Sequence, residues 1–535
     1  MNRKTLVLPA VIGLLVPVLA ACGGSDSGSD SDGAIVVGTT DRFTATKDAP
    51  APLDPAYAYD VGTWNILRQT VQTLMIMPKG DGDPVPEAAE KCGFTDSGNE
   101  RYACTLRDGL KFANGDAVTA KDVKYSIDRA LELKADSGVF ALLSTVDTVE
   151  TQGDSEVIFH LKTADATFPY KLSTPVAGIV NPDDYAEDKL RDGFDVDGSG
   201  PYTLQANVKN DELVDVVFTK NPNYTGTLTV NNDKVEMRSY ADAEAMGAAL
   251  DKGDLDLMTR TMSPEQIDKL ADGTDSNVDL VELPGLEIRY LGFNTDAPSV
   301  KSKAVREAMA QIINRSELVA KVYGSQAEPL FSMVPASITG HSNSFFNTYG
   351  EPNTAKAKSA LSQANITTPV KLTLHYTTDH YGPATKQEFE VLQKQLNDTG
   401  LFDVDIKGTP WETFRPAEQK GAYDVYGMGW FPDFPDADNY LAPFLDKDNT
   451  IGSPYENSVI RNTLIPESRR ESDRLTAADS LTDIQDIVAD EVPVLPLWQG
   501  KQYVAARDDV TGTAYVLNSS STLQLWELSR GVSDD

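Results

Sequence analysis

Strand-like and helix-like patterns alternate along almost the whole chain, and this alternation limits the fold more than any other feature. Ala34-Ile35-Val36-Val37-Gly38-Thr39 is an apolar run ending in small residues, the pattern of a buried first strand. Apolar residues at helical spacing follow over 63–74, with Ile66, Leu67, Thr70, Val71 and Leu74 on one side. A strand pair interrupted by Asp108-Gly109 is expected over 102–112, and Asn114-Gly115 is a strong turn signal. Thr119 caps the next helix, with Asp122 three residues on in a capping-box position. Gly198-Ser199-Gly200-Pro201-Tyr202 reads as a tight turn before a strand, and Ser263-Pro264-Glu265-Gln266 as a helix start. A strand over 289–294, helices from Ser302 and Asn314, a helix over 385–398 and a long helix over 469–491 continue the pattern. Val494-Leu495-Pro496-Leu497-Trp498 closes it as a strand. The alternation argues α/β domains built on mixed sheets. At 535 residues the chain is too long for one hydrophobic core and long enough for two or three domains.

The first residues lie outside that pattern. Arg3 and Lys4 make a positive start, residues 6–20 are apolar and uncharged, and Leu19-Ala20-Ala21-Cys22 ends the run with small residues. The run is short for a bilayer span, which needs about 20 residues, and fits the apolar part of a secretory signal. The four-residue end resembles a bacterial lipobox, which implies cleavage after residue 21 and lipidation of Cys22. Residues 22–33 hold only Gly, Ser, Asp and Cys22 and read as a flexible tether. No later segment is apolar enough to cross a membrane.

Net charge is −34; without residues 1–21 it becomes −36, with 45 basic against 81 acidic side chains. Such a balance repels phosphate backbones and anionic headgroups, which argues against nucleic-acid binding. With Cys22 taken by lipid, Cys92 and Cys104 remain as an even pair in an oxidising compartment, and a disulfide is expected between them. The competing idea, a metal pair, lacks a nearby histidine and a zinc spacing.

Several blocks carry a resemblance. Leu106-Arg107-Asp108-Gly109-Leu110-Lys111-Phe112, Asn114-Gly115, Thr119-Ala120-Lys121-Asp122-Val123 and Tyr125-Ser126 are similar in residues and spacing to the signature of the family 5 extracellular solute-binding proteins. Leu53-Asp54-Pro55, Gly200-Pro201-Tyr202, Gly292-Phe293-Asn294, Val305-Arg306-Glu307-Ala308, Gly429-Trp430 with Asp433 and Asp436, and Pro493-Val494-Leu495-Pro496-Leu497 follow in the family's order. The family includes peptide, dipeptide and nickel receptors of ABC importers. The resemblance implies an α/β, two-lobed, periplasmic-binding-protein-like fold of class II type with an extra subdomain on lobe one. Lobe one is then expected over 34–284, with the subdomain inserted at about 61–196. Lobe two follows over 285–504, and 505–535 return to lobe one.

A receptor of this kind changes no bonds and needs cleft closure around its ligand, so both lobes must touch it. An enclosed peptide ammonium needs a carboxylate. Peptide-binding members of the family use an aspartate at the position matched by Asp433. Its neighbours Trp430 and Phe431 are expected at the ligand, as are Tyr57 and Tyr59 after the first strand. Asp436 and Asp438 read as turn and cap residues. The expected role is the substrate-binding component of an ABC importer, a monomer lipid-anchored at the outer face of the cytoplasmic membrane. It would take a small peptide and deliver it to the permease membrane subunits.

Rival readings have less support. An oligosaccharide would want aromatic platforms, which Trp411, Trp430 and Trp498 could supply. A metal complex would draw on His375 and His380, whose spacing of five does not set both rings on one ion, and both read as surface residues. Neither a Gly-x-Ser-x-Gly elbow nor a His-Glu-x-x-His motif occurs, so an enzyme such as a secreted hydrolase is disfavoured. No cofactor is expected.

Overall fold

The computed structural model describes residues 33–531 apart from 48, 81, 136, 274–276 and 448. The expected leader at 1–21, the expected lipidation position Cys22 and the expected tether as far as residue 32 lie outside the described residues.

Each lobe is built on one large mixed sheet. The first has seven strands in the order Val278–Leu283, Gln502–Arg507, Leu257–Thr259, Ile35–Thr39, Lys234–Ser239, Glu212–Lys220, Tyr202–Lys209. Ile35–Thr39 is buried throughout and pairs in parallel with both neighbours. A central strand covered on both faces calls for an unbroken run such as Ile35-Val36-Val37. The second sheet has six strands in the order Ala327–Pro329, Val494–Gly500, Ile288–Phe293, Val425–Trp430, Val370–Thr377, Phe402–Thr409. A smaller antiparallel sheet joins Ala89–Phe94, Arg101–Leu106, Glu156–Leu161 and Val146–Gln152. Its Arg101–Leu106 strand alternates buried with half-buried residues, as a strand with one covered face must. This sheet and the first large sheet share one hydrophobic core, and the second large sheet has its own.

The chain passes from the first sheet to the second between Leu283 and Ile288 and returns between Gly500 and Gln502. Residues 502–504, expected in lobe two, therefore pair in the first sheet, because Gln502–Arg507 is one continuous strand against Val278–Leu283.

Local signals set most element ends. Thr119 and Asp122 form a reciprocal capping box on Ala120–Leu133, and Ser263 and Gln266 form another on Pro264–Ala271. The Asn314 side chain accepts from the Glu317 N–H at 3.0 Å and starts Arg315–Val322. Cys92 stands opposite Cys104 on paired strands, and the two are disulfide-bonded.

Three element expectations are corrected. The first helix is Val61–Thr70, capped by Asp60, and it stops before Leu74. Its end is set by packing. A Cβ on Gly198 would collide with the Thr70 carbonyl oxygen, so the glycine turn exists to let two backbones meet. The pair over 102–112 is a single strand, Arg101–Leu106; beyond it only Lys111 and Ala117 bridge. The helix over 469–491 is two, Ile465–Arg470 and Ala478–Glu491. The intervening residues are held by tertiary bonds, with Arg474 forked onto Asp436 at 2.7 and 3.0 Å. Among the described residues no helix is long and apolar enough to cross a membrane.

Candidate ligand site between the lobes

A cavity of about 130 Å³ lies between the two sheets. Arg260, Met262 and Tyr503 line it from the first lobe, and Arg289, Phe431 and Trp498 from the second. Arg260 follows the strand Leu257–Thr259, whereas Arg289 is inside Ile288–Phe293 and Phe431 just after Val425–Trp430. An open groove of about 760 Å³ adjoins it and shares Thr261.

Arg289 is the pivot of the lobe-two wall. The residue is buried on a strand otherwise made of apolar residues and glycine. Its guanidinium pairs with Glu287. Its central carbon stands 4.2 Å from the Tyr381 ring centroid, 5.1 Å from Trp498 and 5.6 Å from Phe431. A cation among aromatic faces is held by their quadrupoles. Room for it comes from Gly429, where a Cβ would collide with Arg289 Nη1.

Burial shifts two titratable groups nearby, one acidic and one basic. Glu388 is buried and accepts from Tyr323 Oη at 2.5 Å and Trp498 Nε1 at 3.2 Å. Burial pushes its carboxyl up, against those two bonds and the charge of Arg289. His380 stacks on Trp411 with ring centroids 3.9 Å apart. Desolvation, then the charges of Arg260 and Arg289, hold its imidazole well below the usual range, so the ring is neutral. His380 is thus a cavity-lining residue and not the surface residue expected. His375 stacks on Tyr423 instead. Among the described residues, no group of three or more His, Cys, Asp and Glu side chains is placed to hold a metal ion.

Asp433 sits two residues beyond Phe431, buried at the seam between the lobes. Its carboxylate accepts from Asn439 Nδ2 at 2.7 Å and from Tyr59 Oη at 3.1 Å. Burial pushes the carboxyl up to about 6, opposed by the Asn439 and Tyr59 bonds and by the Arg68 charge. Tyr59 packs against both lobe cores. Asp433 and Tyr59 are therefore brought together, and Phe431 stands at the cavity itself. Trp430 is turned away: its ring is in the lobe-two core, edge-on to Phe444, with Nε1 donating to Asn439 at 3.3 Å. Tyr57 is half-buried and does not line the cavity. Asp436 does serve a turn, accepting from the Asp438 N–H at 2.8 Å. Asp438 begins a helix and is clamped by Arg469. Of the three tryptophans, Trp498 lines the cavity and Trp411 backs His380.

Sequence reasoning did not single out Arg260, Arg289, Tyr323 or Glu388. One signal was available for Arg289, since a charge inside an apolar strand must find a partner. Nothing local marks Arg260.

The lobes also touch beside the cleft. Phe434, from the second lobe, enters the first lobe's core and stacks on Tyr170 at 5.5 Å. The Ala166 N–H donates to the Arg469 carbonyl at 2.8 Å, and Asn99 Nδ2 to that of Arg470 at 3.0 Å. These contacts hold the lobes together on one side of the small cavity, while the groove of about 760 Å³ that adjoins it stays open.

Residues 83–452 match the model of the bacterial extracellular solute-binding proteins, family 5 Middle. The chain belongs to this family. Relatives of this family 5 protein include the dipeptide-binding protein DppE of Bacillus subtilis (strain 168), 23% identical over 540 residues, covering 95% of this chain and 96% of DppE. The probable D,D-dipeptide-binding periplasmic protein DdpA of Escherichia coli (strain K12) is 26% identical over 482 residues, 87% of this chain and 90% of DdpA. Among solved structures, the A. tumefaciens R10 protein AgaA in complex with agropinic acid matches with a TM-score of 0.80 and 21% identity. It covers 94% of this chain and 99% of AgaA. The two-lobed α/β fold expected from the sequence is the fold of these proteins.

Proposed function

We propose that this family 5 protein captures a short peptide between its lobes and delivers it to the membrane subunits of an ABC importer. The observation that carries the reading is the pair of opposite charges at the seam. Asp433 offers a carboxylate at the seam, bonded across the lobes to Tyr59 but outside the cavity lining, and Arg289 with Arg260 offers guanidinium groups at the cavity. A zwitterion with an ammonium at one end and a carboxylate at the other matches that polarity. Its main chain would be met by groups that read no side chain. The peptide-binding names of DppE and DdpA point the same way.

The chain acts as a binder, with closure in place of chemistry. Lobe one comprises 34–284 together with the return of the chain after Gly500, and lobe two the residues between. Cys22 carries the lipid that tethers a monomer to the outer face of the cytoplasmic membrane, and the mature chain begins there.

Native mass spectrometry of protein purified from cells grown in rich medium tests the reading. Co-purified masses that fragment as di- to oligopeptides are expected. A non-peptide mass in their place would replace the cargo class, and turnover of any captured peptide would replace the receptor role. Phase partitioning of full-length protein and of Cys22→Ser tests the anchor: the first should enter the detergent phase and the second should not.

A further inference from the structure

The small cavity between the lobes is electropositive in a strongly acidic chain, whereas the open groove beside it is lined by Asp242, Glu244, Asp251, Glu265 and Asp379 against Lys269. The sequence carries 81 acidic against 47 basic side chains. At the cavity the balance reverses, with Arg260, Arg289 and Lys501 facing it against Glu287. Lys501 is committed to Glu282 at 2.9 Å and Arg289 to Glu287. Arg260 is not fully used. Its side chain is 9% exposed and its Nη2 pairs with Asp41 at 3.0 Å, but its Nε and Nη1 are buried without a hydrogen-bond partner. A guanidinium has five N–H donors, and burying the three on Nε and Nη1 unmet is costly. The backbone there is also unusual. Arg260 and Thr261 take φ values of +56° and +52°, two consecutive side-chain-bearing residues in the left-handed region. Strain of this kind gathers at ligand clamps, and here it coincides with unmet donors.

Arg260 belongs to the first lobe and Arg289 to the second, yet both lie against one ring. Their central carbons are 4.9 and 5.6 Å from the Phe431 centroid. Closing the lobes therefore carries two guanidinium groups toward each other in a poorly solvated gap. Asp41 and Glu287 each neutralise one of them, and Phe431 lends its ring face to both. What stays unmet is the Nε and Nη1 of Arg260, and an anion meets them.

We infer that Arg260 and Arg289 form a cross-lobe anion clamp that takes a carboxylate of the ligand and makes closure depend on that charge. The proposal rests on the peptide reading for the source of the carboxylate, either the peptide's C-terminus or an acidic side chain. A ligand without the anion leaves the Arg260 donors unmet, so it gains little from closure, and a ligand shifts the lobes only as far as it prefers the closed form.

The test uses the mature chain and three pools read by native mass spectrometry and thermal shift. The pools are di- and tripeptides with free C-termini, the same peptides C-terminally amidated, and small non-peptide carboxylic acids. Wild type should retain members of the free-acid pool and hold their amides at least tenfold more weakly. Retention of amides confined to members with Asp or Glu supports the clamp with a side-chain anion. Arg260→Gln should lose at least tenfold in affinity for the retained peptide while keeping its melting temperature within a few degrees, and Arg260→Lys should recover part of it. Capture from the non-peptide pool alone keeps the clamp and removes the peptide reading. Equal retention of acids and amides lacking acidic side chains overturns the clamp and leaves the peptide reading standing. Capture of nothing from either anionic pool overturns the clamp, and this ligand comparison needs no variant to fold.

Discussion

The Tyr59 hydroxyl donates to the Asp433 carboxylate at 3.1 Å, and the two residues come from opposite lobes of the protein. Tyr59 immediately precedes Asp60, the cap of the Val61–Thr70 helix, whose core is that of the first sheet. Asp433 follows the Val425–Trp430 strand of the second. A bond of this kind exists only while the cleft is shut. Tyr59→Phe keeps the ring against both cores and deletes the donor, and Asp433 keeps Asn439. Hydrogen bonds to a charged group contribute about 1.5–3 kcal/mol. The closed form should lose roughly that much, read in isothermal titration as ligand binding weakened about tenfold or more. Scattering should show a larger open fraction. Unchanged affinity would mean that the bond has no part in holding the lobes together.

The pH dependence of Asp433 has a defined sign. Its carboxyl is pushed up to about 6 in the folded chain by burial, against about 3.9 for an unfolded aspartate. Between those values the folded state holds more protons than the unfolded one, so stability falls as pH rises from about 4 to about 6, then levels. Asp433→Asn removes that slope. The difference between wild type and variant should change by up to about 3 kcal/mol across the window, because each tenfold difference in proton affinity between the two states is worth about 1.4 kcal/mol. Urea titrations at pH 4, 5, 6 and 7 read it. An ammonium at the site would favour the ionised carboxylate, so wild-type affinity for a free-amino peptide should rise from pH 5 to 7 and that of the variant stay flat.

Much of the framework was legible because its signals are local. The capping boxes at Thr119 and Ser263 and the apolar runs of the central strands depend on neighbours in sequence, and they appear where expected. The order of short blocks identified the fold. What failed depended on distant partners. The first helix ends early because Gly198 brings a foreign backbone onto Thr70. The last helix breaks where Arg474 reaches Asp436, a partner 38 residues away. The same reason divides the site. Asp433 was expected at the ligand through its motif and lies at the seam without lining the cavity, Arg260 reaches the cavity only where the lobes meet, and Trp430 is in the core with its Nε1 bonded to Asn439.

Gly429 is tied to the cleft through space and not through flexibility. A Cβ there would collide with Arg289 Nη1 and stand 3.0 Å from Tyr381 Cε1. Gly429→Ala must push the guanidinium off the Tyr381 and Phe431 faces, and such overpacking costs typically about 1–3 kcal/mol. The expected result is a modest fall in melting temperature with a larger loss in ligand affinity, about tenfold. A crystal structure of the variant should show Arg289 displaced. An unmoved Arg289 with normal affinity would show that its present position is not needed for capture.

The buried pair of Asp165 and Lys171 anchors the first lobe at its contact with the second. Lys171 Nζ donates to Asp165 at 2.7 Å, and the Lys171 and Asp165 side chains are 5% and 0% exposed. Thr145 and Thr167 hydroxyls also donate to the carboxylate, at 2.8 and 2.7 Å. Burial pushes the Asp165 carboxyl up, but the charges of Lys171 and Arg469 outweigh it and set it at about 2. Its folded value lies below the unfolded one, so its stabilisation is full above about pH 4 and is lost as pH falls through about 2. Asp165→Asn leaves the Lys171 ammonium buried without a counter-charge, which costs about 3–5 kcal/mol. The urea midpoint at pH 7 should fall accordingly, and the lobe contact through Ala166 and Arg469 should loosen. Removing both charges with Asp165→Asn and Lys171→Met should restore most of the loss, because a neutral pair of similar size carries no stranded ion. A double variant as unstable as the single one would show that packing around Asp165, and not its charge, is what the contact requires.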